Sequence, residues 1–412
     1  MISERKLHSL IDLLAPSWVN FIQQLVKIPS YTGDEYKAQE LVYRTMKDLG
    51  IFFKNIYYKD TDNKYPERNY KDRPNVVGLI KGNNDLNFIL NAHIDTACVE
   101  NELTWKFPPF GGEICDGKLY GRGALDDKAG VAMMLMIAQA FKESGSKLPF
   151  NVYIESVIED EDTGNGSKAC LESGIYADAG IIIDGTWPFH IIDAHLGQLW
   201  IDFDIQGQQV ASCSYMRGVN PIYIACNLLN KLSSLVNNEN MALRRWHNIE
   251  NPYFITPGIF VSGCYPGAVP EKCNLVCQVG FPPPENVESI CKKIEYWIKE
   301  QIQEEDNIQY KIKYLSTDPF ENRNNRLVRI LNNNIKRLRP GEMEPINVAV
   351  MGHCDLRYFR NRNGKLSEAC LYGPGGGGNP HVKDEYYLVD HFISVAQNII
   401  STMLNWHKEK TI

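Results

Sequence analysis

The feature that most limits what this chain can fold into is a run of short apolar segments alternating with helical patterns across its first 195 residues. Asn75–Ile80, Asn87–Asn91, Phe150–Ser156 and Ala179–Ile183 are four such segments, each bounded by turn-forming residues. Unbroken apolar character is what a strand buried on both faces requires. Helical patterns precede and separate them at about Leu7–Val26, Glu35–Leu49 and Ala129–Lys142. The first is ended by Ile28-Pro29-Ser30, and the last is apolar around most of its circumference. Strands and helices in this alternation predict an α/β layered domain.

After His195 the pattern changes. Leu199-Trp-Ile-Asp-Phe-Asp-Ile205 alternates with period 2, which predicts an antiparallel strand with one solvated face. A helix (about Asn220–Leu235), a strand pair around Ile259–Cys277 and a helix (Asn286–Gln303) follow, the element order of a small α+β insert. From about Pro319 the α/β style returns with a helix (Asn325–Arg337), an apolar strand (Ile346–Met351) and a terminal helix. The expected organisation is one α/β domain, residues 1–196 and 315–412, interrupted by a smaller domain over 197–314. Two domains also suit a length of 412 residues, which exceeds the size at which a single core stops growing.

The formal net charge of −7 excludes a basic, phosphate-binding face, so no nucleic-acid partner is expected. Met1–Ser9 is charged and shows no signal-peptide pattern, and the longest apolar stretch, Val131–Phe141, is too short for a bilayer. Eleven cysteines without a CxxC pair are expected to be reduced, mostly buried thiols of a cytoplasmic protein.

Five short patterns stand at strand ends or in the loops after them, where α/β sheets collect their active sites. In Asn91-Ala-His93-Ile-Asp95, a carboxylate two residues from an imidazole can set the tautomer of a metal-binding histidine. In Gly121-Arg-Gly-Ala-Leu-Asp126-Asp127-Lys-Ala-Gly130, an acidic pair enters the apolar helix, and either acid can serve simply as its N-cap. Glu159-Asp160-Glu161-Asp162 follows a buried strand; such a run is either a solvated loop or one held together by a cation. Asp184 closes another apolar strand. Tyr372-Gly-Pro-Gly-Gly-Gly-Gly-Asn-Pro-His381 lacks the Lys-Ser/Thr of a phosphate-binding loop and reads as a flexible approach to His381. Two histidines and three carboxylates suit a borderline cation such as zinc, with one carboxylate free to bridge two ions.

With these motifs in this order, the chain resembles the acetylornithine deacetylase, succinyl-diaminopimelate desuccinylase and carboxypeptidase G family of dinuclear zinc metallohydrolases. Trp105-Lys-Phe-Pro-Pro-Phe110, Gly121–Asp126 and Ser156–Gly166 carry the resemblance, which runs from about Phe21 to the last helix. It implies a zinc-peptidase-like α/β catalytic domain with an inserted α+β lid that commonly mediates dimerisation. It also implies His93 and Asp184 on one metal, Glu161 and His381 on the other, Asp126 as the bridge before a cis peptide bond, and Asp95 orienting His93. Two Zn2+ per chain are expected, with Co2+ or Mn2+ as substitutes.

The proton-shuttle position before the ligand glutamate is Asp160, where the family has glutamate; another register would make Glu161 the base and Asp162 the ligand. In the lid, a family histidine falls on Ala211, an asparagine on Gly267 and an arginine on Gly280, while Gly218-Val-Asn220 and Val269-Pro270 are retained. Asn220 and Arg357 fall at substrate-binding positions, Arg357 facing a carboxylate or, in the plainer alternative, making a surface salt bridge. His195 and His353 are read as structural, and His190 has no assigned role. The implied activity is hydrolysis of a small N-acyl amino acid or peptide-like amide. The alternatives are a repurposed metalloenzyme performing a non-hydrolytic biosynthetic step and, third, a non-catalytic metal-stabilised binding protein.

Overall fold

The computed structural model describes residues 2–59, 67–185, 187, 189–301, 308–376 and 380–410. It divides into two compact units: residues 1–193, 322–348 and 354–412, and residues 194–321 with 349–353.

In the first unit a mixed sheet runs in the order Phe52–Ile56, Asn75–Ile80, Asn151–Val157, Asn87–His93, Ala179–Ile182, Glu368–Leu371 and His190–His195. Asn151–Val157, Asn87–His93, Ala179–Ile182 and Glu368–Leu371 are mutually parallel, and all their carboxyl ends therefore leave the sheet at one edge. Every residue of Asn87–His93 and Ala179–Ile182 is buried, as the unbroken apolar runs require. The helix Lys128–Glu143 lies inside the core, with every residue from Lys128 to Ala138 buried. Each large apolar side chain buried there stabilises the fold by roughly 1.5–3 kcal/mol. Gly130 allows this seating: a Cβ there would lie 1.8 Å from the carbonyl oxygen of Ile183. A small sheet of Ile114–Cys115, Lys118–Tyr120 and Tyr386–Leu388, unforeseen in the sequence, ties the 121–127 loop to the segment after His381.

The second unit is an antiparallel sheet in the order Phe254–Ser262, Lys272–Phe281, Gly197–Gln206 and Ile308–Thr317. Its period-2 strand buries Leu199, Ile201, Phe203 and Ile205, which pack with Leu275, Cys277 and Phe281 beneath the helices Pro221–Ala242 and Val287–Gln301. The predicted helix end at Gln303 lies outside the described residues.

All eleven cysteines are free, but the expectation that most are buried needs correction: Cys98, Cys213, Cys226 and Cys264 are exposed and Cys115 and Cys291 half-buried, which leaves five buried. Among the described residues, no helix is long and apolar enough to cross a membrane.

Candidate metal centre

The parallel core of the sheet brings the sequence motifs together. His93 is paired in register with Val157, and Asn91 with Ile182. The ends of these neighbouring strands therefore release His93, the 159–162 acids and Asp184 side by side. The first glycine of the run before His381 has a definite packing role. A Cβ on Gly373 would lie 2.1 Å from the backbone oxygen of Asp184, so the chain passes Asp184 only because position 373 has no side chain. Residues 377–379 of that run, like Thr186, lie outside the described residues.

The acidic pair Asp126-Asp127 divides its work. The peptide bond between them is cis. Asp127 caps the buried helix, its Oδ1 accepting from the Gly130 amide at 3.1 Å, while its Oδ2 accepts from the His93 amide at 3.2 Å. Asp126 faces the histidines instead. Its Oδ1 lies 2.8 Å from His93 Nε2 and its Oδ2 lies 3.0 Å from His381 Nε2. Glu161 Oε2 is 2.8 Å from His381 Nε2, and Asp184 Oδ1 is 3.9 Å from His93 Nε2. Two groups result, His93/Asp126/Asp184 and Asp126/Glu161/His381, each with all its donor atoms within 4.8 Å of one another.

This donor set fits a pair of borderline cations. Bonds of ~2.1 Å at tetrahedral angles separate ligand atoms by about 3.4 Å, within reach of the observed spacings after small side-chain adjustments. The charge balance makes the same point. Burial opposes a charged His93, yet its bonds to Asp126 and Asp95 lift its pKa well above the ordinary value. His381 is pushed up to about 10 by hydrogen bonds to Asp126 and Glu161. Burial, with Asp126 nearby, pushes Asp184 up to about 7. These carboxylates thus call for positive charge, which a pair of cations would supply.

The strand ends at His93, so Asp95 is reached by the turn and not by strand alternation. His93 Nδ1 lies 3.0 Å from the backbone oxygen of Asp95 and 3.5 Å from its carboxylate. That carboxylate accepts from Thr32 Oγ1 at 2.9 Å and from the amides of Asp160 at 3.2 Å and Glu161 at 3.3 Å. Asp95 thus touches the histidine and the acidic turn together. Within the turn, Glu161 joins the donor cluster and Asp160 lies beside Asp355, whereas Asp162 pairs with Arg68 and Glu159 with Arg73. Burial, with Asp355 facing it, pushes Asp160 well above the ordinary carboxylate range.

Other residues singled out in the sequence have different surroundings. Arg357 is buried and makes no surface salt bridge: its Nη1 donates to the Cys354 carbonyl at 2.6 Å and its Nη2 to the Thr163 carbonyl at 3.1 Å, at the end of the acidic turn. Asn220 Oδ1 accepts from the Ile222 amide at 3.0 Å, capping the helix Pro221–Ala242. His195 stacks on Phe320, and His353 Nδ1 contacts Gln198 Oε1 at 2.9 Å. Position 211 is an exposed alanine whose strand partner is Ala268. A Cβ on Gly267 would meet the Tyr265 ring at 2.5 Å, and one on Gly280 the Phe254 ring at 1.9 Å. At both glycines, neighbouring aromatic rings fill the space a side chain would need.

Sequence reading missed Glu385, four residues beyond His381. It is buried, its Oε1 accepts the amides of Leu125 at 3.0 Å and Asp126 at 3.2 Å, and Arg122 Nη1 donates to its Oε2 at 2.5 Å. The segment carrying His381 thereby holds the backbone of Asp126 as well. Lys128 was also missed; wholly buried, it donates to the Ile28 carbonyl at 2.7 Å, and burial pushes it down to about 7. A lysine set between an acidic pair and the start of an apolar helix was the available signal for Lys128.

Glu155, on the strand leading to the turn, is a buried acid with one oxygen lacking a hydrogen bond and the other accepting from Asn91 Nδ2 at 3.1 Å. Burial, reinforced by Asp355 and opposed by Asn91 and Lys54, pushes it up to about 7 from an ordinary 4.5. The folded state therefore favours the protonated acid. The stability this preference contributes is complete below the unfolded value and lost as pH rises through about 7. Glu155→Gln should change stability little at pH 4.5 and raise it above pH 7 by up to about 3 kcal/mol. Urea unfolding at the two pH values reads this, and a gain independent of pH would refute it.

The fold and the clustered donors define a two-unit α/β protein with two adjoining groups of side chains that could hold metal ions. The chain belongs to peptidase family M20/M25/M40, whose model matches residues 89–405. Members of this family are typically dinuclear metal-dependent hydrolases acting on C–N bonds. It is 24% identical over 379 residues to the N-formyl-4-amino-5-aminomethyl-2-methylpyrimidine deformylase of Bacillus subtilis, covering 83% of this chain and 85% of that protein. It is 23% identical over 396 residues to an acetylornithine deacetylase of Buchnera aphidicola, with coverages of 95% and 98%. Its fold matches the dipeptidase Dug1p of Saccharomyces cerevisiae with a TM-score of 0.76 at 15% identity, covering 98% of each chain. Human carnosine dipeptidase 1 matches with 0.73 at 14% identity, covering 98% of this chain and 99% of that one.

Proposed function

We propose that this chain is a dinuclear zinc amidohydrolase that removes a small acyl group from an amine or cleaves a peptide-like amide. The observation that carries the reading is the shared Asp126 carboxylate, one oxygen toward His93 and the other toward His381. His93 and Asp184 would hold one ion, Glu161 and His381 the other, and Asp126 both. Such a pair, when bound, acidifies water and polarises a carbonyl. The chain's own part is proton traffic. The Asp160 carboxylate receives the proton of the attacking water and returns it to the leaving nitrogen. Asp95 holds the amides on either side of that carboxylate and the orientation of His93. The deformylase and deacetylase relatives support a small acyl group, formyl or acetyl. The reading is tested by elemental analysis and by mass-spectrometric assay of N-formyl and N-acetyl amines and dipeptides. Two zinc ions with turnover support it; an absence of bound metal sinks it.

A second reading, a repurposed enzyme performing a non-hydrolytic step, is favoured by the rings that fill the space at Gly267 and Gly280 and by the alanine at 211. Under it, combining Ala211→His with Gly267→Asn leaves hydrolysis of simple N-acyl amino acids within about twofold of the parent. Recovery by the ~100-fold that one oxyanion donor typically supplies would refute it. Arg357, at the end of the acidic turn, and Asn220, at the start of the helix Pro221–Ala242, stand as the substrate-binding candidates of either reading. Homodimerisation through the lid is supported by the edge strand Phe254–Ser262, which exposes Ile259, Phe260 and Val261; light scattering on the purified chain decides it. The free thiols support a reducing compartment such as the cytoplasm.

A further inference from the structure

The four-acid run is organised from Glu159, a residue to which the proposed chemistry assigns nothing. Its backbone lies at φ 62, a left-handed conformation rare for a residue with a side chain. Its carbonyl accepts the amides of Asp162 at 3.4 Å, Thr163 at 3.0 Å and Gly164 at 2.6 Å, closing the turn that contains Asp160 and Glu161. Its carboxylate is wholly buried. Oε2 accepts from Thr163 Oγ1 at 2.6 Å, Tyr70 Oη at 2.9 Å and Asn165 Nδ2 at 3.4 Å. Oε1 is ion-paired with Arg73 Nη2 at 2.7 Å and Arg68 Nη1 at 3.2 Å, though off the hydrogen-bonding directions.

Arg73 is itself buried and forked onto a second buried acid. Its Nε and Nη2 each donate to the Glu35 carboxylate at 2.6 Å, and its guanidinium lies over the Tyr70 ring at 5.1 Å. Arg68 extends the network to Asp162. A planar fork between two fixed carboxylates is a geometry that lysine cannot reproduce.

We infer that Arg73 and Glu159 are positioning residues: the Glu35–Arg73–Glu159 bridge sets where the turn presents Asp160 and Glu161. The inference rests on the amidohydrolase reading above. Glu159 is joined directly to Asp160, so a displacement of one is passed to the other, and an offset of about 1 Å in a reacting group can cost ~100-fold. A brace serving stability alone could be replaced by apolar packing. This one holds in the left-handed region the residue that starts the turn.

The test uses the full chain with Glu159→Gln and Arg73→Lys, two variants that keep most of the packing. In the metal-free protein, hydrogen exchange at the amides of 162–164 should accelerate at least about tenfold with the rest of the unit unchanged. Cobalt(II) titrated into the same variants should bind about 10- to 100-fold more weakly, with an altered absorption spectrum. Wild-type exchange at 162–164 together with wild-type cobalt affinity overturns the inference. Faster exchange spread evenly over the unit also overturns it, because that marks a general brace. If the parent chain binds no cobalt, the amidohydrolase reading fails, and the exchange pattern alone then decides whether the bridge organises the turn.

Discussion

Asp126→Asn is expected to empty both metal positions and to lower turnover by at least about 100-fold and up to about 10,000-fold. Asn keeps the shape of the side chain but removes the charge that faces His93 and His381 together. Loss of a residue merely supporting a ligand commonly costs 10- to 100-fold in metal affinity or activity. A ligand shared by two ions should cost about the product of two such losses. The cap on the buried helix belongs to Asp127, so the fold should survive. Elemental analysis of the folded variant, checked by circular dichroism, reads the result. Two ions per chain in Asp126→Asn would remove the shared-carboxylate assignment.

The second large effect separates chemistry from metal binding. Asp160→Ala should lower kcat by about 1,000-fold, in the middle of the range general acid–base catalysis supplies, while leaving two ions bound and KM within a few-fold. Glu161→Ala should instead lose an ion, because its Oε2 is the atom beside His381. The contrast tests the register of the run. Were Glu161 the base and Asp162 a ligand, Asp162→Asn would strip metal, yet Asp162 is turned toward Arg68. Unchanged kcat in Asp160→Ala would transfer the proton shuttle to another group.

The local chain made much of this legible. Period-2 alternation in Leu199–Ile205 and the unbroken apolar runs at Asn87 and Ala179 stated which faces are buried, and the strands formed accordingly. The site motifs were readable because each stands at a strand end or in the loop after one. Residue types alone did not say which member of an acidic string does what; the resemblance supplied those assignments. Asp126 and Asp127 are chemically alike neighbours, and the chain direction between them decides that one caps a helix while the other faces two histidines. The same holds for Glu159–Asp162, where Arg68 and Arg73 claim the outer two acids.

Arg357 makes the point from the other side. Sequence matching marked it as a substrate clamp or a surface charge; its guanidinium is buried, bonded to the carbonyls of Cys354 and Thr163 and 3.6 Å from the Asp355 carboxylate. Glu385 illustrates a partner with no sequence signal, since its targets, the amides of Leu125 and Asp126, lie about 260 residues away along the chain. By itself, then, the sequence determined the fold class, the strand ends and the residue types of the donor cluster, because periodicity and side-chain chemistry are local properties. Only the tertiary structure decided which carboxylate faces both histidines, which acids are neutralised by arginine and which amides hold the turn. Those outcomes depend on distances between segments far apart in the chain, and no local pattern encodes such distances.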